Sequence, residues 1–162
     1  MAGGPRSYDE FQAEDFAILA EIARADLAAF IVRNPHHLSL PERLLCIALC
    51  QGAALHHLDG KNGVKDFDVW MFFADQSGSP PYPPRRTGKA PFTGARFQDS
   101  TRRVDILGRT IALSPSGDPV AAVSEYLRGS RTATAGHLRQ KAVVILDPPG
   151  RRGEILWPPA SP

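Results

Sequence analysis

Three aspartates lie within segments of the sequence that are otherwise apolar. Asp66 and Asp68 fall in the run 64–73, which is rich in aromatic and β-branched residues, and Asp105 falls in the run 101–113. Runs of this composition are typical of β-strands. Residues two apart on a strand project from the same face, with Cβ atoms roughly 6 to 7 Å apart. We therefore expect Asp66 and Asp68 to share one face of a sheet.

Carboxylates among apolar residues need a compensating charge, because an unpaired charge is costly to bury. Each aspartate alone has a structural alternative, in which it caps a turn or pairs with Arg102 or Arg103. The three together favour divalent cations, since Mg²⁺ and Mn²⁺ take oxygen ligands and two such ions about 3.5 to 4 Å apart suit a carboxylate triad. Asp66, Asp68 and Asp105 are therefore the candidate metal ligands.

A glycine turn precedes the paired aspartates. The apolar run 44–50 is too short for its periodicity to distinguish a strand from a helix, and it breaks at Gly52 before a segment over 53–58 that suits a helix. Glycine lets the backbone approach a ligand closely, and free amides at the start of a helix bind phosphate. The backbone amides of Gly52, Ala53 and Ala54 are therefore a candidate phosphate site.

An N-terminal helix is the first element that must support this site. Ser7 and Glu10 form a capping-box pattern, which predicts that the helix begins there. Apolar residues then recur at three- and four-residue intervals, as on a helix with one buried face. The helix is predicted to end near Arg33, because the residue before Pro35 is pushed out of the helical region.

The second half of the chain carries weaker signals. The proline-rich stretch 75–100 predicts a long surface loop, since proline cannot donate a hydrogen bond within a central sheet. Asp118 suits the N-cap of a short helix, and the apolar run 142–146 predicts a last strand. Helices and strands together predict an α+β fold.

Length and composition bound the class of protein. A chain of 162 residues can bury a core without disulfides, and we place one domain at residues 1–157, with its core at about 41–146 and a flexible tail at 158–162. The two cysteines lie in an apolar run and most histidines form adjacent pairs, which is not the spacing of a zinc site. No apolar run of about 18 residues is present, so we expect no membrane span and a cytoplasmic location.

Charge is distributed unequally behind a net charge of +2. Residues 1–84 carry 6 basic and 11 acidic side chains, and residues 85–162 carry 13 and 6. This split fits either a basic face for a polyanion or two solvated faces that neutralise each other. One basic run interleaved with aromatic residues suits nucleic acid, by phosphate contacts and stacking, or merely solubility and loop anchoring. Its members are Arg85, Arg86, Lys89, Arg96, Arg102 and Arg103, with Tyr82, Phe92 and Phe97.

The order of these features resembles the nucleotidyltransferase superfamily, the polymerase-β-like group that includes small minimal members. In that family a strand ends in Gly-Gly or Gly-Ser at a helix start, paired acids follow on the next strand, and a third acid lies on a later strand. Here Gly52-Ala53, Asp66-Phe67-Asp68 and Asp105 are similar, within residues 44–113. The family often has serine after the glycine, and Ala53 lacks the hydroxyl that would help to hold a triphosphate.

The resemblance implies a mixed β-sheet packed against helices and a Mg²⁺-dependent reaction. A nucleoside monophosphate would pass from an NTP to a hydroxyl of an acceptor, releasing pyrophosphate. Asp66 and Asp68 would hold both metal ions, and Asp105 would complete the one that activates the acceptor hydroxyl. Lys65 and Arg103 would place positive charge beside the NTP.

The acceptor stays open at this point, as a nucleic acid, a small molecule or a partner protein. Ala53 and the charge split also fit an alternative, a catalytically degenerate protein of the same fold that binds nucleic acid or protein. A third possibility is an unrelated α/β domain in which the three aspartates are paired structurally.

Overall fold

The N-terminal helix begins later than the sequence predicts. A computed structural model describes residues 6–94, 97 and 102–159. Helix α1 spans Ala13–Arg33, and its capping box is formed by Gln12 and Asp15 rather than by Ser7 and Glu10. The Asp15 carboxylate accepts a hydrogen bond from the Gln12 amide at 2.7 Å. The chain before Gln12 is not helical because Ser7 forms a two-way backbone pairing with the chain ahead of the second strand.

Six strands form one mixed sheet in the order β3-β4-β2-β1-β5-β6. The strands are β1 (Leu44–Cys50), β2 (Phe67–Ala74), β3 (Gly88–Pro91), β4 (Arg103–Ile111), β5 (Val143–Asp147) and β6 (Ile155–Trp157). Strands β2 and β4 are parallel, and every other neighbouring pair is antiparallel. The mixed sheet with its helices, including the one at the N-terminus, confirms the α+β fold.

Helices cover both faces of this sheet. Besides α1 they are α2 (Leu40–Arg43), α3 (Gln51–Asp59), α4 (Pro119–Gly129) and α5 (Ala133–Leu138), with 3₁₀ turns at Pro35–His37 and Pro149–Arg151. Helix α1 packs on one face, where Phe67, Met71 and Phe73 of β2 meet it in one apolar core. Helices α4 and α5 pack on the other face against Trp70 and Phe72. Successive side chains of β2 thus project alternately into the two cores, one on each face of the sheet.

The segments that flank the glycine turn are both strands. The run 44–50 is β1, with its last five residues fully buried. The strand predicted over 64–73 begins at Phe67, so Asp66 precedes it rather than lying inside it. The backbone carbonyls of Val64 and Lys65, just before β2, accept hydrogen bonds from the Arg102 guanidinium instead of from a neighbouring strand.

The run 101–113 forms the single strand β4, which continues through Gly108. A Cβ atom at Gly108 would lie 2.7 Å from the ring of Tyr82, which crosses the strand on the α1 side. Glycine is therefore required by this close approach and not by a turn.

The proline-rich stretch 75–100 contributes one edge strand. Strand β3 pairs only with β4, and its last residue is Pro91. This position agrees with the prediction that the stretch joins no central strand, because a sheet edge tolerates a residue without an amide donor.

The C-terminal elements are predicted in part. Asp118 caps α4 by accepting a hydrogen bond from the Val120 amide at 3.1 Å, as predicted. Strand β5 is the predicted last strand, but α5 and β6 follow no signal that we recognised. Residues 160–162 of the predicted flexible tail lie outside the described residues. Among the helices of the described chain, none is long and apolar enough to cross a membrane.

Candidate functional site

The parallel pairing of β2 with β4 brings two of the predicted carboxylates together. Asp68 and Asp105 are register partners on these neighbouring strands. Register partners share a face, and neighbouring strands lie about 4.8 Å apart. Both aspartates fall near the beginnings of their strands, on the face that also carries α4 and α5. Residues 37 positions apart in the chain therefore form one acidic pair.

The third predicted carboxylate lies beside this pair. Asp66 precedes β2, and its Oδ1 accepts a hydrogen bond from the backbone amide of Arg103 at 3.2 Å. This contact is one of the structural roles that the sequence left open for Asp66. The carboxylate nevertheless lines the same cavity as Asp68 and Asp105.

An open cavity of about 300 Å³ joins these carboxylates to the glycine turn. Three carboxylates and four basic or imidazole side chains meet around it, together with backbone from the start of α3. The lining residues are Arg6, Gln51, Gly52, Ala53, Gly63, Lys65, Asp66, Asp68, Asp105, His137 and Lys141. Acidic and basic groups thus converge on one space from five separate parts of the chain.

The glycine turn has the backbone form that exposes the start of α3. Gln51 has φ = 62°, a left-handed conformation that is strained for a residue with a side chain. This bend separates β1 from α3 and places Gly52 and Ala53 on the cavity wall. Ala54 is fully buried in the core and does not line the cavity. The predicted phosphate turn is therefore narrower than the three residues proposed for it.

Gly52 lies close to two side chains that the sequence did not connect with it. A Cβ atom at Gly52 would come 3.0 Å from Asn62 Nδ2 and 3.9 Å from Lys141 Nζ. The Asn62 amide group donates hydrogen bonds to the carbonyls of Gly52 and Gly63, at 3.0 and 2.9 Å. Asn62 thus ties the glycine turn to the loop that leads into β2.

The two basic residues predicted to assist the site have different positions. Lys65 lines the cavity directly. Arg103 instead pairs with Asp105, with Nε 2.9 Å from Oδ1 and Nη2 donating a hydrogen bond to Oδ2 at 3.3 Å. That hydrogen bond raises the pKa of the Arg103 guanidinium. Arg103 therefore neutralises a predicted metal ligand.

Among the three aspartates, Asp68 has a raised pKa. Burial, followed by the charges of Asp105 and Asp66, raises the pKa of the Asp68 carboxyl to about 6. His137 and Arg103 act in the opposite direction but do not cancel the effect. An acidic group with its pKa raised in a cleft is typical of a functional site, although structural networks also produce such shifts.

The donor set suits a hard cation in its chemistry, because all three acids offer carboxylate oxygens. Within residues 6–94, 97 and 102–159, no three His, Cys, Asp or Glu side chains form a group ready to hold a metal ion. Asp105 is engaged by Arg103, and Asp66 by a backbone amide. Binding a cation to all three aspartates therefore requires that Arg103 release Asp105.

Arg6, Gln51, His137 and Lys141 belong to the cavity wall but were not predicted. The Gln51 side chain donates a hydrogen bond to the His137 carbonyl at 3.3 Å, which joins the start of α3 to α5. His137 and Lys141 reach the cavity only through the packing of α5, an element without a sequence signal that we recognised. The sequence did not reveal these residues, because they lie far along the chain from the aspartates.

Most side chains of the basic and aromatic run that could bind nucleic acid make contacts within the protein instead. Tyr82 and Phe97 are buried in the core, at 1% and 2% exposure, so neither can stack on a base, and this part of the prediction is wrong. Arg86 pairs with Asp26, and Arg102 is buried. Phe92 packs against the core, and Arg96 lies outside the described residues. The loop-anchoring alternative holds for these side chains.

Comparisons of this chain with protein-family models, with curated proteins and with solved structures each return no match. The nucleotidyltransferase interpretation therefore stays a prediction from the sequence.

Proposed function

We propose that this protein is a Mg²⁺-dependent nucleotidyltransferase that transfers a nucleoside monophosphate from an NTP to an acceptor hydroxyl. One observation carries the proposal: Asp68 and Asp105 are register partners on parallel strands and share a cavity with the glycine turn. Carboxylates and a phosphate-binding backbone in one cleft are the parts that phosphoryl transfer needs.

The carboxylates are the residues that would hold Mg²⁺, with Asp66 and Asp68 on one side and Asp105 on the other. A bound Mg²⁺ supplies charge that neutralises the phosphates and favours loss of the acceptor proton. The raised pKa of Asp68 fits this role, because a carboxylate crowded by two others gains most from a cation nearby.

Basic groups of the cavity bind the phosphates of the NTP. The amides of Gly52 and Ala53 face the cavity at the start of α3, where the helix dipole favours an anion. Lys65 and Lys141 add two ammonium groups to the same wall. Ala53 contributes only its amide, so Lys141, beside Gly52, takes up the task that a serine hydroxyl would otherwise share.

Asp105 accepts the proton of the acceptor hydroxyl. The hydroxyl oxygen then forms a bond to the α-phosphorus as the bond between that phosphorus and the bridging oxygen breaks, and pyrophosphate leaves. Asp105 suits this step because it lies beside β3, at the less covered side of the sheet where an acceptor can approach. Arg103 must first turn away from it.

NTP binding tests the proposal without knowledge of the acceptor. Each of the four NTPs is titrated by calorimetry with and without MgCl₂, into the wild type, Asp68→Asn and, as a matched control, Asp75→Asn. Asp75 is exposed and lies outside the cavity. We expect Mg²⁺-dependent binding in the wild type and Asp75→Asn that is lost in Asp68→Asn. Absence of binding to any NTP at millimolar concentration with Mg²⁺ contradicts the proposal.

A second candidate function is a degenerate relative of the same fold that binds a partner without catalysis. The Arg103–Asp105 pair favours it, because a permanent internal cation replaces a metal ion. The calorimetry separates the two functions: a degenerate site binds neither Mg²⁺ nor NTP, and removing Arg103 does not restore either.

A further inference from the structure

One half of the sheet face around the carboxylates is open. Helices α4 and α5 pack over the part of this face formed by β1, β2, β5 and β6, and α4 also contacts β4, where Leu107 and Ile111 pack in the same cluster. Over β3 and the start of β4, by contrast, the described residues place no helix on this side. Tyr82 and Phe92, from the loop around β3, both pack on the opposite face with α1. The cavity therefore opens onto a strip of bare sheet.

The strip carries basic side chains in a line. Lys89 of β3 is the register partner of Asp105 and so lies on the same face, fully exposed. Arg109 lies on β4 four residues beyond Asp105, an even number, which also places it on this face. At about 3.3 Å per residue, Arg109 is roughly 13 Å from Asp105 along the strand. Arg103 completes the line at the near end.

Two of these cations are not used by the protein itself. Among the described residues, neither Lys89 nor Arg109 has a hydrogen-bond or ion-pair partner, whereas Arg86 and Arg102 of the same predicted run are both engaged. Lys89 is also held in place, because it belongs to a strand whose neighbour Gly88 is buried against α1. Beside the carboxylates the strip thus holds two cations without a partner among the described residues, together with Arg103, which pairs with Asp105.

We propose, on the basis of the nucleotidyltransferase function above, that the acceptor is the end of a single nucleic-acid strand lying along this strip. This surface, the β3–β4 strip, consists of Lys89, Arg103 and Arg109. Arg103 and Arg109 are roughly 20 Å apart along β4, too far to share one phosphate, so the strip suits successive phosphates of a chain, with the terminal hydroxyl at Asp105. A strand approaching Asp105 also offers Arg103 a phosphate in exchange for the carboxylate, since arginine forms strong paired hydrogen bonds with both groups.

A single strand fits this surface better than a duplex does. The strip is one strand spacing wide between Lys89 and β4, and it ends at a cavity of about 300 Å³. Tyr82 and Phe97 are buried, so these two aromatic residues of the run offer no platform for bases. Contacts are therefore made to the phosphates, and the affinity depends strongly on salt and little on base sequence.

The experiment measures strand binding without metal or NTP, so that it does not depend on catalysis. Fluorescein-labelled oligo(U) and oligo(dT) of about 12 nucleotides are titrated in EDTA by anisotropy, between about 50 and 200 mM NaCl. The test variant is Lys89→Gln with Arg109→Gln. The matched control is Arg33→Gln with Arg128→Gln, which removes the same charge from two exposed helical sites outside the strip.

We expect the wild type and the control to bind at low salt, and the test variant to bind roughly tenfold more weakly. Loss of two phosphate contacts lowers the slope of log affinity against log salt by about 1.4 for a single strand. Circular dichroism verifies that both variants are folded.

Failure to bind either oligonucleotide at low salt contradicts the strip as an acceptor site, as does an equal loss in the control pair. Mg²⁺–NTP binding is measured on the same protein preparations, in MgCl₂ without EDTA, and is expected to be unchanged in the test variant. Strand binding with no NTP binding overturns the proposed function, whereas NTP binding with no strand binding overturns only the choice of acceptor.

Discussion

Two aspartate–arginine pairs in this protein have opposite surroundings. Arg86 approaches Asp26 of α1 with both terminal nitrogens, at 2.7 and 3.0 Å, donates to the Tyr82 hydroxyl at 2.8 Å and lies 4.5 Å from the centre of the Phe30 ring. Hydrogen bonding to Asp26 raises the pKa of Arg86. The two side chains are only 21% and 15% exposed. This pair fixes the proline-rich loop on α1.

The second pair lies at the cavity. Arg103 contacts Asp105 at 2.9 Å, but its side chain is 49% exposed. Two further carboxylates, Asp66 and Asp68, lie in the same cavity, which Arg6, Lys65, His137 and Lys141 also line.

The contrast indicates that the Arg86–Asp26 pair stabilises the fold, whereas the Arg103–Asp105 pair belongs to a binding site. At Asp26 each charge is matched and enclosed, and nothing is left to bind. At Asp105 the arginine is half exposed and further acidic and basic side chains share the open cavity, so the cation that is present can leave for solvent at little cost, because exposed pairs contribute about 1 kcal/mol or less. The second arrangement is the one that a metal ion or a phosphate can enter.

The largest expected effect is on catalysis. Asp105→Asn removes the proton acceptor, and we expect transfer to fall by about 100-fold to 10,000-fold. Initial rates of pyrophosphate release with an oligonucleotide acceptor measure this loss, with Asp75→Asn as the control. A rate within twofold of the wild type would place the proton acceptor elsewhere and weaken the distinction between the two pairs.

Stability should respond at the other pair. Arg86→Met leaves Asp26 without its partner beside α1, and we expect the free energy of unfolding to fall by about 2 to 3 kcal/mol. Arg103→Met should change it by less than about 1 kcal/mol, because that pair is exposed. Urea denaturation of both variants checks this comparison. Equal losses of unfolding free energy in the two variants would mean that both pairs serve to stabilise the fold.

The Asp68 carboxylate, buried and beside two other acids, should cost stability at neutral pH. The pKa of Asp68 is about 6 in the folded protein against an ordinary value of 3.8, so the folded state binds this proton more tightly than the unfolded state. Protonation of Asp68 therefore stabilises the folded state fully below pH about 4, and this stabilisation is lost as the pH rises through about 6. Asp68→Asn should therefore raise the free energy of unfolding by about 2 to 3 kcal/mol at pH 8 and by little at pH 4.

Denaturation in EDTA at the two pH values measures this difference without interference from metal ions. Asp75→Asn, an exposed site, should show no such dependence on pH. A gain from Asp68→Asn that is the same at both pH values would show that the carboxylates do not repel one another.

The smallest effect should be on metal affinity. Arg103→Met removes the cation that competes for Asp105, and we expect Mn²⁺ to bind about threefold to tenfold more tightly in the absence of NTP, in line with the contribution of an exposed ion pair. Electron paramagnetic resonance measures free Mn²⁺ directly. Weaker binding in the variant would mean that Arg103 helps to assemble the site instead of obstructing it.

The acidic centre could be predicted from the sequence because its signals are local. Asp66 and Asp68 lie two residues apart in a strand-like run, and Gly52 breaks another. The helix start was misplaced because Ser7 and Glu10 match the capping-box pattern, whereas in the structure Ser7 pairs with the chain before β2 and Gln12 caps the helix.

The basic side of the cavity could not be predicted in the same way. Lys141 and His137 approach Gly52 only after α5 has packed, and no local pattern encodes that packing. Nor does sequence distinguish Arg86 from Arg103, which belong to one basic run. Their roles depend on burial, which is a property of the folded chain.

Crystals soaked with Mn²⁺ and a non-hydrolysable NTP analogue test the central claim most directly. The account predicts an anomalous Mn²⁺ peak at Asp68 and Asp105, phosphates at the amides of Gly52 and Ala53, and an Arg103 side chain turned away from Asp105. A cavity without Mn²⁺, in which Arg103 still pairs with Asp105 in the presence of the analogue, would contradict it.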